Sequence, residues 1–171
     1  MTSRERWRVS ARGPVIRGPL AGQGALAEGI LRALPDWFGI ESAIVDYARA
    51  AHEGPTFVAE AGGETIGFVT LKQTSDCAAE LHVMAVLAQW QRRGVGGALV
   101  ARAAAYARAG GCALLHVKTL GPSDPDPNYA ATRAFYAAVG FLPLEELPQV
   151  WGPENPCLIM VRALTWPAPA A

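Results

Sequence analysis

Apolar and polar positions along the chain alternate in short blocks that predict strands and helices. Apolar runs rich in β-formers predict strands near Pro14–Arg17 and over Thr56–Glu60, Glu64–Leu71, Ala79–Val86, Cys112–Val117, Leu142–Leu147 and Cys157–Leu164. Helix formers with helical spacing predict helices over Gly24–Leu34, Ser42–Ala51, Leu99–Ala109 and Asn128–Val139. The pattern therefore indicates an α/β fold.

Glycine and proline mark the connections between these elements. Gly62-Gly63 is a two-residue loop that can take positive φ, so the strands on either side are expected to form a hairpin. The segment Pro35–Gly39 separates the first two helices. The segment Gly121–Pro127 contains three prolines and must be a loop, and a loop of this length after a strand is often functional.

The most informative junction is Gln91–Ala98, which links the strand ending at Val86 to the alanine-rich helix. The first turn of a helix has unpaired N–H groups and the positive end of the helix dipole, and glycines let an anion approach that backbone. A nucleotide P-loop is excluded because no lysine lies between Lys72 and Lys118, and a dinucleotide fingerprint because Leu99 stands where its third glycine belongs. We therefore expect another phosphate ligand here, and a purely steric role of the glycines is the alternative.

Charge is segregated along the chain, although the formal net charge is zero. Residues 20–80 carry a formal charge of −6 from nine carboxylates and three basic residues. No carboxylate lies between Glu80 and Asp124, and the five basic residues of that stretch are expected to gather around the glycine turn: Arg92, Arg93, Arg102, Arg108 and Lys118. The zero net charge argues against nucleic acid as a partner.

Two motifs in this order resemble the GNAT superfamily of acyl-CoA N-acyltransferases. They are Gln91-x-x-Gly94-x-Gly96 after a strand and Phe135-Tyr136-x-x-x-Gly140-Phe141 downstream, and the resemblance covers roughly Pro55–Phe141. It implies a mixed, twisted central β-sheet of six to seven strands flanked by helices on both faces. It also implies that the Gln91–Ala98 turn binds the pyrophosphate of acetyl-CoA through backbone amides.

The resemblance assigns further contacts to the cofactor. The backbone of Met84–Val86 matches the strand segment that pairs with the pantetheine arm, and Tyr136 matches the tyrosine that reaches the CoA sulfur. The family's asparagine often precedes that tyrosine by seven residues, whereas Asn128 precedes it by eight and Tyr129 by seven. The implied acetyl-CoA contacts are Met84, Ala85, Val86, Gln91, Arg92, Arg93, Gly94, Val95, Gly96, Gly97, Ala98, Asn128 and Tyr136.

Candidate catalytic residues lie on the strand before the turn. Strict alternation there places Leu81, Val83 and Ala85 on one face and Glu80, His82 and Met84 on the other. An amine near pKa 10 is protonated at neutral pH, so acyl transfer needs a base.

By the resemblance, Glu80 matches a family base, His82 is the alternative base, and Tyr136 protonates the departing thiolate. Trp37 and Phe38 are the candidate apolar wall of the acceptor pocket, with Glu80 as a further substrate contact. Helix packing by the aromatic residues and a solvated Glu80 are the structural alternatives.

The sequence therefore predicts an N-acetyltransferase that moves an acetyl group from acetyl-CoA to a primary amine of a small molecule or peptide. Direct attack in a ternary complex is expected because Cys77 and Cys112 have no adjacent histidine in the sequence. The alternatives are a non-catalytic CoA-binding or interaction domain and a protein N-terminal or lysine acetyltransferase.

Length and composition suit one domain. The chain has 171 residues, 51% of them hydrophobic, and we expect a flexible extension at residues 1–12, one acetyltransferase domain at 13–165 and a tail at 166–171. Three cysteines without a Cys-x-x-Cys pair indicate a reducing cytoplasm and no metal site. With no apolar signal core and no long apolar run, we expect no membrane partner. The sequence leaves open whether the protein forms a homodimer.

Overall fold

The computed structural model describes residues 13–164 of the chain. Its strands are β1 (Val15–Leu20), β2 (Thr56–Ala61), β3 (Glu64–Ser75), β4 (Ala78–Val86), β5 (Leu114–Leu120), β6 (Leu142–Leu147) and β7 (Cys157–Ala163). Its helices are α1 (Gly24–Arg32), α2 (Glu41–Glu53), α3 (Val95–Ala109), α4 (Pro127–Ala138) and α5 (Pro148–Trp151), with a 3₁₀ turn at Ala88–Trp90. The extension and tail expected at residues 1–12 and 166–171 lie outside the described residues.

One seven-stranded sheet runs through the molecule in the order β1-β2-β3-β4-β5-β7-β6, which confirms the predicted fold class. The β4–β5 pair is parallel, and every other neighbouring pair is antiparallel. The parallel pairing runs only from Ala78–Leu114 to Leu81–Val117, although β4 continues to Val86 and β5 to Leu120. The sheet therefore opens between these two strands at their carboxyl ends.

Helices cover both faces of the sheet, as predicted. On one face α3 and α4 pack on a cluster that includes Leu99, Val100, Leu115 and Phe141. On the other face α1 and α2 pack on a second cluster, which includes Leu31, Ile44, Val58 and Phe68. Burial of apolar area in these two layers is the main stabilising contribution to the fold.

The strand β4 contains a bulge that corrects one prediction. Opposite β3, Thr70 pairs with Val83 and Leu71 pairs with Leu81, so His82 is an extra residue in β4. The extra residue reverses the alternation of faces. Leu81 lies in the α3 cluster, against which Met84 also packs, whereas Val83 and Ala85 lie in the α1–α2 cluster. The prediction that Leu81, Val83 and Ala85 share a face is therefore wrong.

Most element bounds match the prediction, and two differences concern the glycine turn and the end of β6. The Gly62-Gly63 hairpin is confirmed, with φ values of 60° and 85°. The helix α3 begins at Val95 instead of Leu99, so Gly96 and Gly97 lie in its first turn. The short helix α5, which starts with Pro148, was not predicted. Within residues 13–164, no helix is long and apolar enough to span a membrane.

Candidate active site

The site begins at the open edge of β4. Residues after Leu81 pair with β3 on one side, and their register with β5 has ended on the other. The Gln91 side chain folds back on this edge, and its Nε2 donates a 3.0 Å hydrogen bond to the Val86 carbonyl. Gln91 therefore fixes the path of the chain from β4 into the glycine turn.

The turn before α3 presents a run of unused backbone donors. The first hydrogen bond of α3 is from the Ala98 N–H to the Gly94 carbonyl, at 3.1 Å. The six N–H groups from Arg92 to Gly97 donate to no group within residues 13–164. Arg92 and Gly94 both have positive φ, 62° and 82°, and this backbone shape brings successive N–H groups toward one point. The arrangement suits an anion, which the dipole of α3 also favours.

The first turn of α3 is also closely packed. A Cβ added to Gly96 would lie 3.0 Å from the Phe135 ring and 3.1 Å from Cε of Met84, so glycine lets α3 approach both β4 and α4. Gly96 therefore has a steric role, and its backbone N–H is still one of the unused donors of the turn. At Gly94 no atom of the described residues lies within 4 Å of an added Cβ, so glycine is favoured there by the positive φ of the backbone.

The expectation that five basic residues gather at this turn is wrong. Arg92 and Arg93 lie in the turn, and the guanidinium of Arg93 stands 5.3 Å from the Trp90 ring centroid. Arg102 reaches back to 3.5 Å from the Gly18 carbonyl. Arg108 lies in the last turn of α3, about 20 Å along the helix axis from the glycine turn. The fifth residue, Lys118, lies on β5, where its side chain contacts Glu80.

Glu80 lies at the point where the β4–β5 pairing ends, and its side chain is only 6% exposed. Its Oε1 accepts a 2.9 Å hydrogen bond from Nζ of Lys118, and its Oε2 lies 3.8 Å from Nδ1 of His82. Burial raises the pKa of Glu80, but the adjacent His82 and Lys118 outweigh it and lower the pKa to about 2. Glu80 is therefore an ionised, buried carboxylate, and Lys118 is a neighbour that the sequence analysis did not find.

Two histidines flank this carboxylate. His82, the bulged residue, packs edge-on against Tyr47 of α2 with ring centroids 5.5 Å apart. His116 is the register partner of Glu80 on β5, and its Nε2 lies 2.9 Å from Oγ1 of Thr74. The Nδ1 atoms of both histidines are buried and have no hydrogen-bond partner among residues 13–164. Glu80 and His82 are therefore brought together as predicted, and His116 joins them.

Tyr136 lies on α4 with 8% of its surface exposed, in edge-to-face contact with Phe141 at 5.6 Å. Burial raises its pKa, and the neighbouring phenols of Tyr47 and Tyr129 raise it further. Tyr136 is therefore a neutral phenol that can donate a proton.

The loop between α1 and α2 is fastened to α4. The Tyr129 hydroxyl donates a 2.8 Å hydrogen bond to the Trp37 carbonyl, and Nε1 of Trp37 lies 3.3 Å from Oγ1 of Thr132. Phe38 packs edge-on against Tyr47 at 6.2 Å. Phe38 is thus connected through the ring of Tyr47 to His82, and Trp37 is joined to α4 by hydrogen bonds.

Asn128 lies in the first turn of α4, where its backbone N–H donates a 2.8 Å hydrogen bond to Oδ1 of the capping residue Asp126. This contact belongs to the helix cap. Among residues 13–164 no group of three or more histidine, cysteine or acidic side chains is placed to hold a metal ion.

Comparison with known proteins gives one family. The family model described as an acetyltransferase (GNAT) domain matches residues 52–143, more than half of the chain. The comparison with curated protein sequences finds no match.

Several solved structures share the fold. The ribosomal-protein-S18-alanine N-acetyltransferase from Escherichia coli is 20% identical, with a TM-score of 0.71 over 92% of this chain and 98% of that one. A GNAT family acetyltransferase from Elizabethkingia anophelis with acetyl-CoA bound is 17% identical, with a TM-score of 0.67 over 88% and 98%. An IAA acetyltransferase from Bacillus cereus is 22% identical, with a TM-score of 0.66 over 88% and 99%.

Proposed function

The chain belongs to the GNAT acetyltransferase family, and on that premise we propose that it transfers an acetyl group from acetyl-CoA to a primary amine of a small molecule or peptide. In this proposal residues 13–165 form one catalytic domain. A cytoplasmic location is part of the proposal, supported by three cysteines that are all free thiols.

One observation carries the proposal. The run of unused N–H groups from Arg92 to Gly97 lies directly after the unpaired edge of β4. The pyrophosphate would bind at the turn, and the amide groups of the pantetheine arm would pair with the backbone of Met84–Val86. The thioester would then lie along the opening between β4 and β5, beside Glu80 and His82.

Two side chains in opposite protonation states would perform the two proton transfers of the reaction. The amine nitrogen attacks the thioester carbonyl carbon, and the carbon–sulfur bond then breaks. Glu80, directly or through one water, accepts the proton that leaves the nitrogen, and His82 is the alternative acceptor. The neutral phenol of Tyr136 donates its proton to the departing CoA thiolate.

Direct attack is preferred over an acyl-cysteine intermediate. Cys112 and Cys157 are buried, and burial raises the pKa of the Cys157 thiol, which keeps it protonated. Cys77 is exposed in the turn between β3 and β4. Cys157 lies near Glu80 but is kept protonated, whereas Cys77 and Cys112 lie before the amino ends of β4 and β5, away from the opening.

The acceptor would enter beside Trp37 and Phe38. Both are partly buried and pack on the α1–α2 cluster, and the ring of Phe38 leads through Tyr47 to His82. Asp124 and Asp126 lie in the loop before α4, to which Trp37 is fastened, and their charge favours a cationic acceptor.

The test is an acetyl-CoA-dependent screen of amine acceptors in which CoA release and acetylated product are both measured. The panel contains small amines, peptides with free N-termini, lysine peptides and neutral hydroxyl compounds. Turnover with amines supports the proposal, and the better substrates distinguish a small-molecule enzyme from a protein acetyltransferase. Acetyl-CoA binding without turnover on any acceptor would support the non-catalytic alternative.

A further inference from the structure

An ion pair between Lys118 and Glu80 lies where the backbone pairing of β4 and β5 ends and the opening between them begins. Lys118 is the first residue of β5 beyond the last paired position, Val117, and its Nζ is 2.9 Å from Oε1 of Glu80. The Lys118 side chain is 30% exposed, whereas that of Glu80 is 6% exposed. The pair therefore joins the two strands through their side chains at the point where their backbone pairing ends.

We propose that Lys118 is a positioning residue, which holds the Glu80 carboxylate ionised and in one orientation for the attacking amine. The proposal rests on the acetyl transfer proposed above. Lys118 does not contact the reacting atoms in this scheme, and it forms and breaks no covalent bond.

The physical basis is the cost of burying a lone carboxylate. Burial alone favours the neutral acid, and a protonated Glu80 has no capacity to accept a proton from an amine. A hydrogen-bonded ammonium at 2.9 Å compensates for the lost hydration and occupies one of the two carboxylate oxygens. The second oxygen, Oε2, is left without a hydrogen bond within residues 13–164, so it is the atom available to the substrate.

The other titratable groups around Glu80 do not take the place of Lys118 at Oε1. They come from every element packed on it: Lys72 on β3, His82 on β4, His116 on β5, Tyr47 on α2 and Cys157 on β7. Burial lowers the pKa of His116 and raises the pKa values of Tyr47 and Cys157, so all three favour their neutral forms. His82, whose Nδ1 lies 3.8 Å from Oε2, also lowers the pKa of Glu80, but the hydrogen bond to Oε1 comes from Lys118. Lys72 is exposed and makes no hydrogen bond to Glu80.

The test is the pH profile of kcat at saturating acetyl-CoA and amine. Lys118→Met removes the ammonium, and we expect the acid limb of the profile to move up by at least one pH unit as Glu80 becomes easier to protonate. Lys118→Gln keeps a hydrogen-bond donor but no charge, so its limb should also move up, and it serves if the methionine variant does not fold. Lys118→Arg should restore the wild-type profile.

Two controls isolate the effect. Lys72→Met removes the lysine that faces Glu80 from the other neighbouring strand, and its profile should match the wild type. Adding Glu80→Gln to Lys118→Met should abolish the shift of the limb, because the carboxylate whose titration Lys118 controls is gone. An unchanged limb in Lys118→Met and Lys118→Gln, or the same shift in a variant that also lacks Glu80, would overturn the positioning role. A wild-type protein that acetylates no amine would instead overturn the proposed function, and this role with it.

Discussion

Glu80 and Tyr136 are driven to opposite protonation states by their surroundings. The pKa of Glu80 is lowered to about 2 because His82 and Lys118 outweigh the effect of burial, whereas burial raises the pKa of Tyr136. At neutral pH Glu80 is therefore in the form that accepts a proton and Tyr136 in the form that donates one, which are the forms that the proposed acyl transfer uses.

Replacing either group should slow turnover without weakening cofactor binding. We expect Glu80→Gln and Tyr136→Phe each to lower kcat by roughly 10- to 10⁴-fold, since each removes one of the two proposed proton-transfer groups. Tyr106→Phe is the matched control, because Tyr106 is a half-exposed tyrosine of α3 that packs on Phe57. Full turnover by both variants with intact acetyl-CoA binding would leave them structural, and His82→Gln would be the next variant to test.

The lowered pKa of Glu80 also predicts how stability depends on pH. A carboxyl group with a pKa below its unfolded value stabilises the fold above pH 4.5 and loses that contribution as the pH falls toward 2. The free energy of unfolding of the wild type should therefore fall more steeply over this window than that of Glu80→Gln, by at most about 1.4 kcal/mol per pH unit. Denaturant titrations at several pH values measure both slopes, and parallel slopes would show that Glu80 is not paired in the folded protein.

At the scale of elements, the packing of α3 distinguishes two adjacent glycines. Gly96→Ala places a methyl group 3.0 Å from the Phe135 ring, so we expect it to destabilise the protein by about 1–3 kcal/mol. Gly97→Ala meets only Val139, at 4.0 Å, and the higher helix propensity of alanine should leave stability unchanged or raise it by up to about 1 kcal/mol. Equal effects in thermal or chemical unfolding would contradict the close contact of α3 with α4.

The backbone preferences of individual residues made the turns, helices and strands predictable. Features that depend on how one strand pairs with another could not be predicted from the sequence. The Gly62-Gly63 hairpin and the proline-rich loop before α4 follow from the conformations that glycine and proline favour. The bulge at His82 is set by how β4 pairs with β3, and nothing in the local sequence of β4 marks it. The reversed faces of Leu81 and Val83 therefore required the structure.

At the scale of the whole molecule, the site joins segments far apart in sequence. Glu80 and Lys118 are 38 residues apart, and Tyr129 and Trp37 are 92 apart. The sequence supplied Glu80, His82, Tyr136 and the glycine turn as candidates from motif spacing. It could not supply Lys118 as the partner of Glu80, because side-chain contacts across strands depend on the register of the sheet.

The hydrogen bonds between the α1–α2 loop and α4 allow a separate test of the proposed acceptor pocket. Trp37→Ala should raise KM for the amine roughly tenfold while changing KM for acetyl-CoA little, because Trp37 packs on the α1–α2 cluster and α3 packs on the other one. Ile40→Ala, an exposed residue of the same connection, should change neither value. Circular dichroism checks that Trp37→Ala is folded, and equal increases in both KM values would remove Trp37 from the acceptor pocket.

The central claim is that acetyl-CoA binds at the turn before α3, and calorimetric titration of two glycine variants tests it most directly. Gly94 and Gly111 flank α3, both have positive φ, 82° and 92°, and neither has an atom within 4 Å of an added Cβ. Alanine at either position should cost similar stability, about 1 kcal/mol. We predict that Gly94→Ala weakens acetyl-CoA binding at least tenfold and that Gly111→Ala binds like the wild type. Unchanged affinity in a folded Gly94→Ala variant, or no binding by the wild type, would contradict the account.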